Sequence, residues 1–198
     1  MKKKRNLFLM MVIISSLIAI SASSDDDGDE DEEHGRWSTK VLSFVGRKNV
    51  LVPAQMNAKF KTECTSCHMA YLPGLLPERS WTKLMNGLDD HFGEDASLDD
   101  KTKKEIQDFL IANSSDHVTS RRGKKILSTI SKNDAPIRIS ETGYFNKKHD
   151  EVAESVYKRK AIGSKANCLA CHQGAELGNF NEHEVRIPKA SELPVKKK

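Results

Sequence analysis

All four cysteines of this 198-residue chain stand in two copies of one pentapeptide pattern, Cys64-Thr65-Ser66-Cys67-His68 and Cys168-Leu169-Ala170-Cys171-His172. Cysteines three apart fall on one face of a helical turn, where both thiols can add to the two vinyl edges of one porphyrin. The residue that follows, His68 or His172, then faces the iron as proximal ligand. The pattern is the attachment signature of a c-type haem, and two copies imply two covalently bound haem c groups. Structural zinc or a pair of disulfides would also use four cysteines. Neither gives a reason for a histidine directly after the second cysteine of both pairs.

The N-terminus points to the compartment in which such attachment takes place. Lys2, Lys3, Lys4 and Arg5 are followed by an apolar run over residues 7–20 broken by Ser15 and Ser16, and Ala22-Ser23-Ser24 offers small residues for cleavage. Residues 1–24 read as a secretory signal peptide, because the apolar run falls short of the roughly 20 residues that span a bilayer. The expected mature protein is exported, soluble and periplasmic, with an uncleaved membrane anchor as the alternative.

After such cleavage about 174 residues remain, enough for one large domain or two small lobes. Aliphatic and aromatic content is modest, and a porphyrin would supply much of the missing apolar core. Asp25, Asp26, Asp27, Asp29, Glu30, Asp31, Glu32 and Glu33 form a like-charged block, so residues 25–35 read as an acidic disordered segment. The chain's net charge of +4 becomes about zero without the four cations at positions 2–5. Setting aside the eight acids leaves a basic body of about +8 from His34 onward. No basic helix with interleaved aromatics accompanies that charge, so no nucleic-acid partner is expected.

The pattern along the chain is mainly α with much irregular structure, in two small haem-binding lobes. The first is expected over residues 36–118, the second over 119–190, with a basic tail at 191–198. Residues 59–71 would form the first haem turn, ended by Pro73-Gly74 and Pro77. A helix opening near Pro77 would carry Trp81, Leu84, Met85 and Leu88 on one stripe. A polar loop with His91 precedes a helix capped by Asp99 or Asp100 and carrying Ile106, Phe109 and Leu110. Residues 121–130 suggest a short helix with Ile126, Leu127 and Ile130 inward. Ser140 is the expected cap of a helix bearing Tyr144, Phe145 and His149, and residues 166–173 hold the second haem turn.

The sixth iron ligand decides between electron transfer and small-molecule binding. After the signal the methionines are Met56, Met69 and Met85. All lie in the first half, Met69 is too close to His68 to cross the iron, and Met85 reads as pocket wall. His91 follows His68 by 23 residues and His149 precedes His172 by 23, separations that close easily around a porphyrin. His91 is the expected distal ligand of the first haem and His149 of the second. His117 and His183 are possible substitutes, a crossed arrangement between lobes is open, and His34 reads as solvent-exposed. Arg79, Arg138 and Arg186 are candidate propionate partners or ordinary surface arginines.

The run Glu63-Cys64-Thr65-Ser66-Cys67-His68-Met69-Ala70-Tyr71-Leu72-Pro73-Gly74-Leu75-Leu76-Pro77-Glu78-Arg79-Ser80-Trp81, followed by Asp90-His91-Phe92-Gly93-Glu94-Asp95-Ala96-Ser97-Leu98, resembles the bacterial dihaem cytochrome c family found alongside the sphaeroides haem protein. Ile137-Arg138-Ile139-Ser140-Glu141-Thr142, Lys148-His149, Ala166-Asn167-Cys168 and Val185-Arg186-Ile187-Pro188 are similar to the rest of its pattern. The resemblance spans residues 50–188. It implies a periplasmic electron carrier with two low-spin bis-histidine haems, a first lobe similar to class I cytochromes c and a less regular second lobe. It also implies two partners, a membrane cytochrome b as electron source and a small monohaem cytochrome that binds oxygen or nitric oxide as acceptor. The competing classes are a dihaem peroxidase-like enzyme and a haem-based gas-binding protein. Each of those needs one open iron site, whereas a carrier, which is not an enzyme, needs none.

Overall fold

The computed structural model describes residues 51, 53 and 55–194. These all fall in one compact unit, residues 41–198. The expected signal peptide, acidic segment and His34 lie outside the described residues, as do the first residues of the expected first lobe and the end of the basic tail.

Among the described residues there are six short α-helices and a series of 3-10 turns, and no strand. Helix α1, Ala58–Cys64, is capped by the Asn57 side chain, which accepts from the Phe60 amide. Helix α2, Glu78–Asn86, starts directly after Pro77, whose carbonyl accepts from the Ser80 and Trp81 amides. Pro77 is thus the flanking residue of this helix, one position earlier than its expected place in the first turn. Helix α3, Asp100–Ala112, has its cap at Asp99, whose carboxylate accepts from Thr102, as Asp-rich helix starts favour.

Helix α4, Arg121–Ser128, is capped by Ser120. Helix α5, Gly143–Lys148, is capped by Thr142 and not by Ser140. Ser140 lies inside the 3-10 turn Ile139–Glu141, and the Thr142 hydroxyl both donates to Ile139 and accepts from Phe145, so the capping role passes two residues on. Helix α6, Glu154–Tyr157, is a single turn.

Two apolar clusters organise the chain. The first joins α1, α2 and α3 through Phe60, Ala70, Leu76, Trp81, Met85, Leu88, Ile106 and Leu110, all buried. The stripe expected on α2 and α3 faces this cluster, and burying each large apolar side chain contributes roughly 1.5–3 kcal/mol. Trp81 satisfies its indole N–H on the Pro73 carbonyl at 2.7 Å, which lets a large amphipathic ring sit at 4% exposure. The second cluster packs Leu51, which precedes the first haem motif, and Leu72 and Leu75 from the turn after it against Ile126 and Ile130 of the α4 region. Residues from both sides of the expected lobe boundary therefore share one core.

Candidate haem sites

Helix α1 stops at Cys64, and residues 65–67 of the first pentapeptide form a turn. The cause is local. The Thr65 hydroxyl donates to the Lys61 carbonyl at 2.7 Å and Ser66 to the Glu63 carbonyl at 3.1 Å, side-chain bonds that compete with the helical ladder. No α-helix runs directly into the second pentapeptide. A 3-10 turn, Cys168–Ala170, carries it, and the His172 amide closes one helical turn on the Cys168 carbonyl at 2.8 Å. In both motifs the cysteines and the histidine are brought together by one turn of backbone.

Burial pushes the Cys64 thiol up to about 11, with help from the Glu63 charge, and pushes Cys168 to the same value. Cys171 is raised by burial as well. Among the described residues no three His, Cys, Asp or Glu side chains converge on one point, so the closed set of four ligands that structural zinc requires is not assembled.

The histidines fall into two pairs. The ring centroids of His68 and His91 are 6.1 Å apart with planes inclined by 36°. Those of His149 and His172 are 6.0 Å apart at 82°. Two imidazoles on opposite sides of one metal, each nitrogen about 2 Å from it and each ring centre about 1 Å farther, have centroids about 6 Å apart. Each proximal histidine thus stands with the distal candidate of its own half, at the separation that leaves room for one metal atom, and the residues fit a haem at both places.

Hydrogen bonding orients one ring of each pair. His68 Nδ1 bonds the Met69 carbonyl at 2.6 Å and His149 Nδ1 bonds the Phe145 carbonyl at 2.9 Å. An imidazole that donates from Nδ1 to a carbonyl keeps Nε2 as a lone-pair donor toward a metal. Burial lowers the pKa of His91, with the His68 and Arg138 charges adding to it. Burial and His149 lower that of His172. Both shifts favour the neutral ring, the state a ligand needs.

His149 is the residue that ends α5, and its ring stacks on Phe145 with centroids 4.0 Å apart. It lines a cavity of about 350 Å³ with Tyr157 and Lys165, while His172 lines a second of about 360 Å³ with Asn179 and Arg186. The other spare histidines are placed elsewhere. His117 Nε2 pairs with Glu78 at 3.0 Å, and His183 is exposed in the 3-10 turn Glu182–Glu184. Met85 is packed in the first core cluster.

Of the arginines, Arg79 ties α2 to the loop beyond α4 by donating to the Ser131 and Asp134 carbonyls. Arg186 donates to Glu192, and its amide bonds the Cys171 carbonyl. The guanidinium of Arg138 lies 3.8 Å from the centre of the Phe92 ring, beside His91.

Two contacting residues escaped the sequence reading. Phe180 stands edge-on to His172 with centroids 5.4 Å apart, and no spacing rule links it to the motif. Tyr71 places its ring 4.8 Å from that of His68 and donates its hydroxyl to the Ala166 carbonyl at 2.7 Å. Burial and the nearby Cys168 push its phenol up to about 12. Tyr71 therefore joins the two sites, running from the first proximal histidine to the residue two before Cys168. Tyr71→Phe removes one hydrogen bond and is expected to cost about 1 kcal/mol of stability, read as an earlier thermal midpoint with both haems retained. An unchanged midpoint would show that the bond adds nothing across the junction.

A family model described as dihaem cytochrome c matches residues 60–180. A dihaem cytochrome c structure from Rhodobacter sphaeroides is 45% identical, with a TM-score of 0.58, covering 66% of this chain and 100% of that one. A dihaem cytochrome type c from Shewanella baltica OS155 is 34% identical with a TM-score of 0.55, covering 67% of this chain and 93% of that one. None of the curated proteins compared matches the chain.

Proposed function

The chain belongs to the dihaem cytochrome c family and is an electron-transfer protein with two haem c groups; from this we infer that it is a periplasmic shuttle, reduced by a membrane cytochrome b and oxidised by a small monohaem cytochrome that binds oxygen or nitric oxide. When bound, the haems supply one-electron chemistry at iron. Cys64, Cys67 and His68 would hold one, and Cys168, Cys171 and His172 the other. His91 and His149 would fill the opposite axial positions.

The observation that carries this reading is the pairing of the four histidines at 6.1 and 6.0 Å. A site with both axial places taken by protein exchanges electrons and leaves no position for peroxide or a gas. Imidazole on both sides favours a low potential relative to histidine and methionine. Tyr71 offers a continuous path between the two sites through its ring contact and its bond to Ala166. The residue pattern shared with the family supports the two partners, and redox encounters of this kind use small, transient faces. The basic body supports a charged docking surface whose effect falls with salt. Among the described residues no helix is long and apolar enough to cross a membrane.

Carbon monoxide added to the dithionite-reduced protein is expected to bind neither haem rapidly. Rapid binding at one haem would replace the shuttle by an enzyme or gas-binding protein. Electron paramagnetic resonance of the oxidised protein adds a sharper check. Ring planes inclined by 36° and 82° predict two different low-spin signals, an ordinary rhombic one and a highly anisotropic one. A high-spin signal from either haem would contradict the axial assignment.

A further inference from the structure

His91 sits on a turn that the sequence does not favour. It follows the 3-10 turn Leu88–Asp90, and its amide and carbonyl both bond Glu94, at 2.8 and 3.4 Å. The two residues between them, Phe92 and Gly93, have φ of 60° and 95°. A two-residue turn with positive φ at both positions is built for Asn-Gly or Gly-Gly. Phe92 is the one non-glycine residue with positive φ among the described residues, and a side chain there crowds its own backbone.

Something must offset that strain. Asp90 accepts from the Gly93 amide at 3.0 Å, which braces the far side of the turn. The Phe92 ring, 43% exposed, stands 4.8 Å from the His91 ring. Its partner comes from the other half of the chain, the Arg138 guanidinium at 3.8 Å from the ring centre. Arg138 is itself steadied by Glu141 at 3.4 Å, and the next residue, Ile139, packs against both apolar clusters. The guanidinium thus reaches the turn from a backbone anchored in the core.

We propose that Arg138 is a positioning residue for the first haem: by holding Phe92 in its unfavourable turn, it keeps His91 seated as the sixth ligand. The inference rests on the reading of His91 as that ligand. The C-terminal half thereby controls how often the first iron opens. A cation over an aromatic face at a partly exposed site is a modest interaction, so the expected effect is a change in the open population and not its complete exposure.

The test follows carbon monoxide binding to the reduced, two-haem protein. His91→Ala provides the reference spectrum of an opened first haem. Arg138→Ala is expected to raise the rate of carbon monoxide binding at that haem about two- to fivefold, with the second haem unchanged, and Arg138→Lys to lie between. Phe92→Gly removes both the ring and the crowded backbone. It should keep the first haem closed and make a following Arg138→Ala silent, a non-additivity expected only of partners. If His91→Ala opens the haem while Arg138→Ala changes nothing, or acts equally with Gly at 92, the clamp is wrong. If His91→Ala itself leaves the first haem low-spin, the axial reading falls instead.

Discussion

Replacing His149 by alanine is expected to turn the second haem high-spin and open it to carbon monoxide, while the first haem keeps its low-spin spectrum. The ring is held on three sides: the backbone ends α5 at His149, Nδ1 bonds the Phe145 carbonyl at 2.9 Å, and the Phe145 ring stacks 4.0 Å away. Among the described residues the other spare histidines stand elsewhere. His183 is exposed on its own turn, and His117 is paired with Glu78 on α2. Neither His183→Ala nor His117→Ala should disturb either haem. His149→Met should retain six-coordination in part and raise that haem's potential, because a thioether stabilises ferric iron less than imidazole does. Low-spin spectra from both haems in His149→Ala would overturn the assignment. High-spin character at the first haem would reveal ligands crossed between the halves.

The double change Cys64→Ala and Cys67→Ala is expected to halve the covalent haem, from two groups per chain to one. The second motif has its own turn, with His172 bonded to Cys168, and its own histidine partner, so its attachment should proceed. Haem content by alkaline pyridine spectrum and intact mass would read the loss, and acid-acetone should extract nothing from the native protein. Two equivalents of zinc in place of haem, or two haems remaining in the variant, would sink the assignment of Cys64 and Cys67.

The parts legible in the sequence were those written over a few residues. The two pentapeptides marked the sites outright. Asp99 or Asp100 as a cap, with the apolar spacing behind them, marked α3, and the separations of 23 residues singled out the histidines that the structure sets beside His68 and His172. Short-range competition hid the cap of α5, which Thr142 takes from Ser140. Long-range contacts left no trace in any periodicity. Tyr71 meets Ala166 across 95 residues, and Phe92 meets Arg138 across 46. A positive φ at Phe92 contradicts the preference of its own side chain, which is why a reading by propensity passed over it.

The distribution of buried side chains bears on how this protein is made. Past Phe145 the buried apolar residues among those described are Ala161, Ile162, Ala175 and Pro188, set among one helical turn and several 3-10 turns. A stretch of that length gains too little from such small groups to offset roughly 1.5 kcal/mol of ordering entropy per residue. Attachment of Cys168 and Cys171 to a porphyrin would supply the missing order, as disulfides do in small secreted domains. Before Cys168 and Cys171 are joined to their porphyrin, the nascent C-terminal portion would be a loose strand of polypeptide trailing from an already assembled N-terminal core. Protease digestion of chains caught before that joining should cut there first.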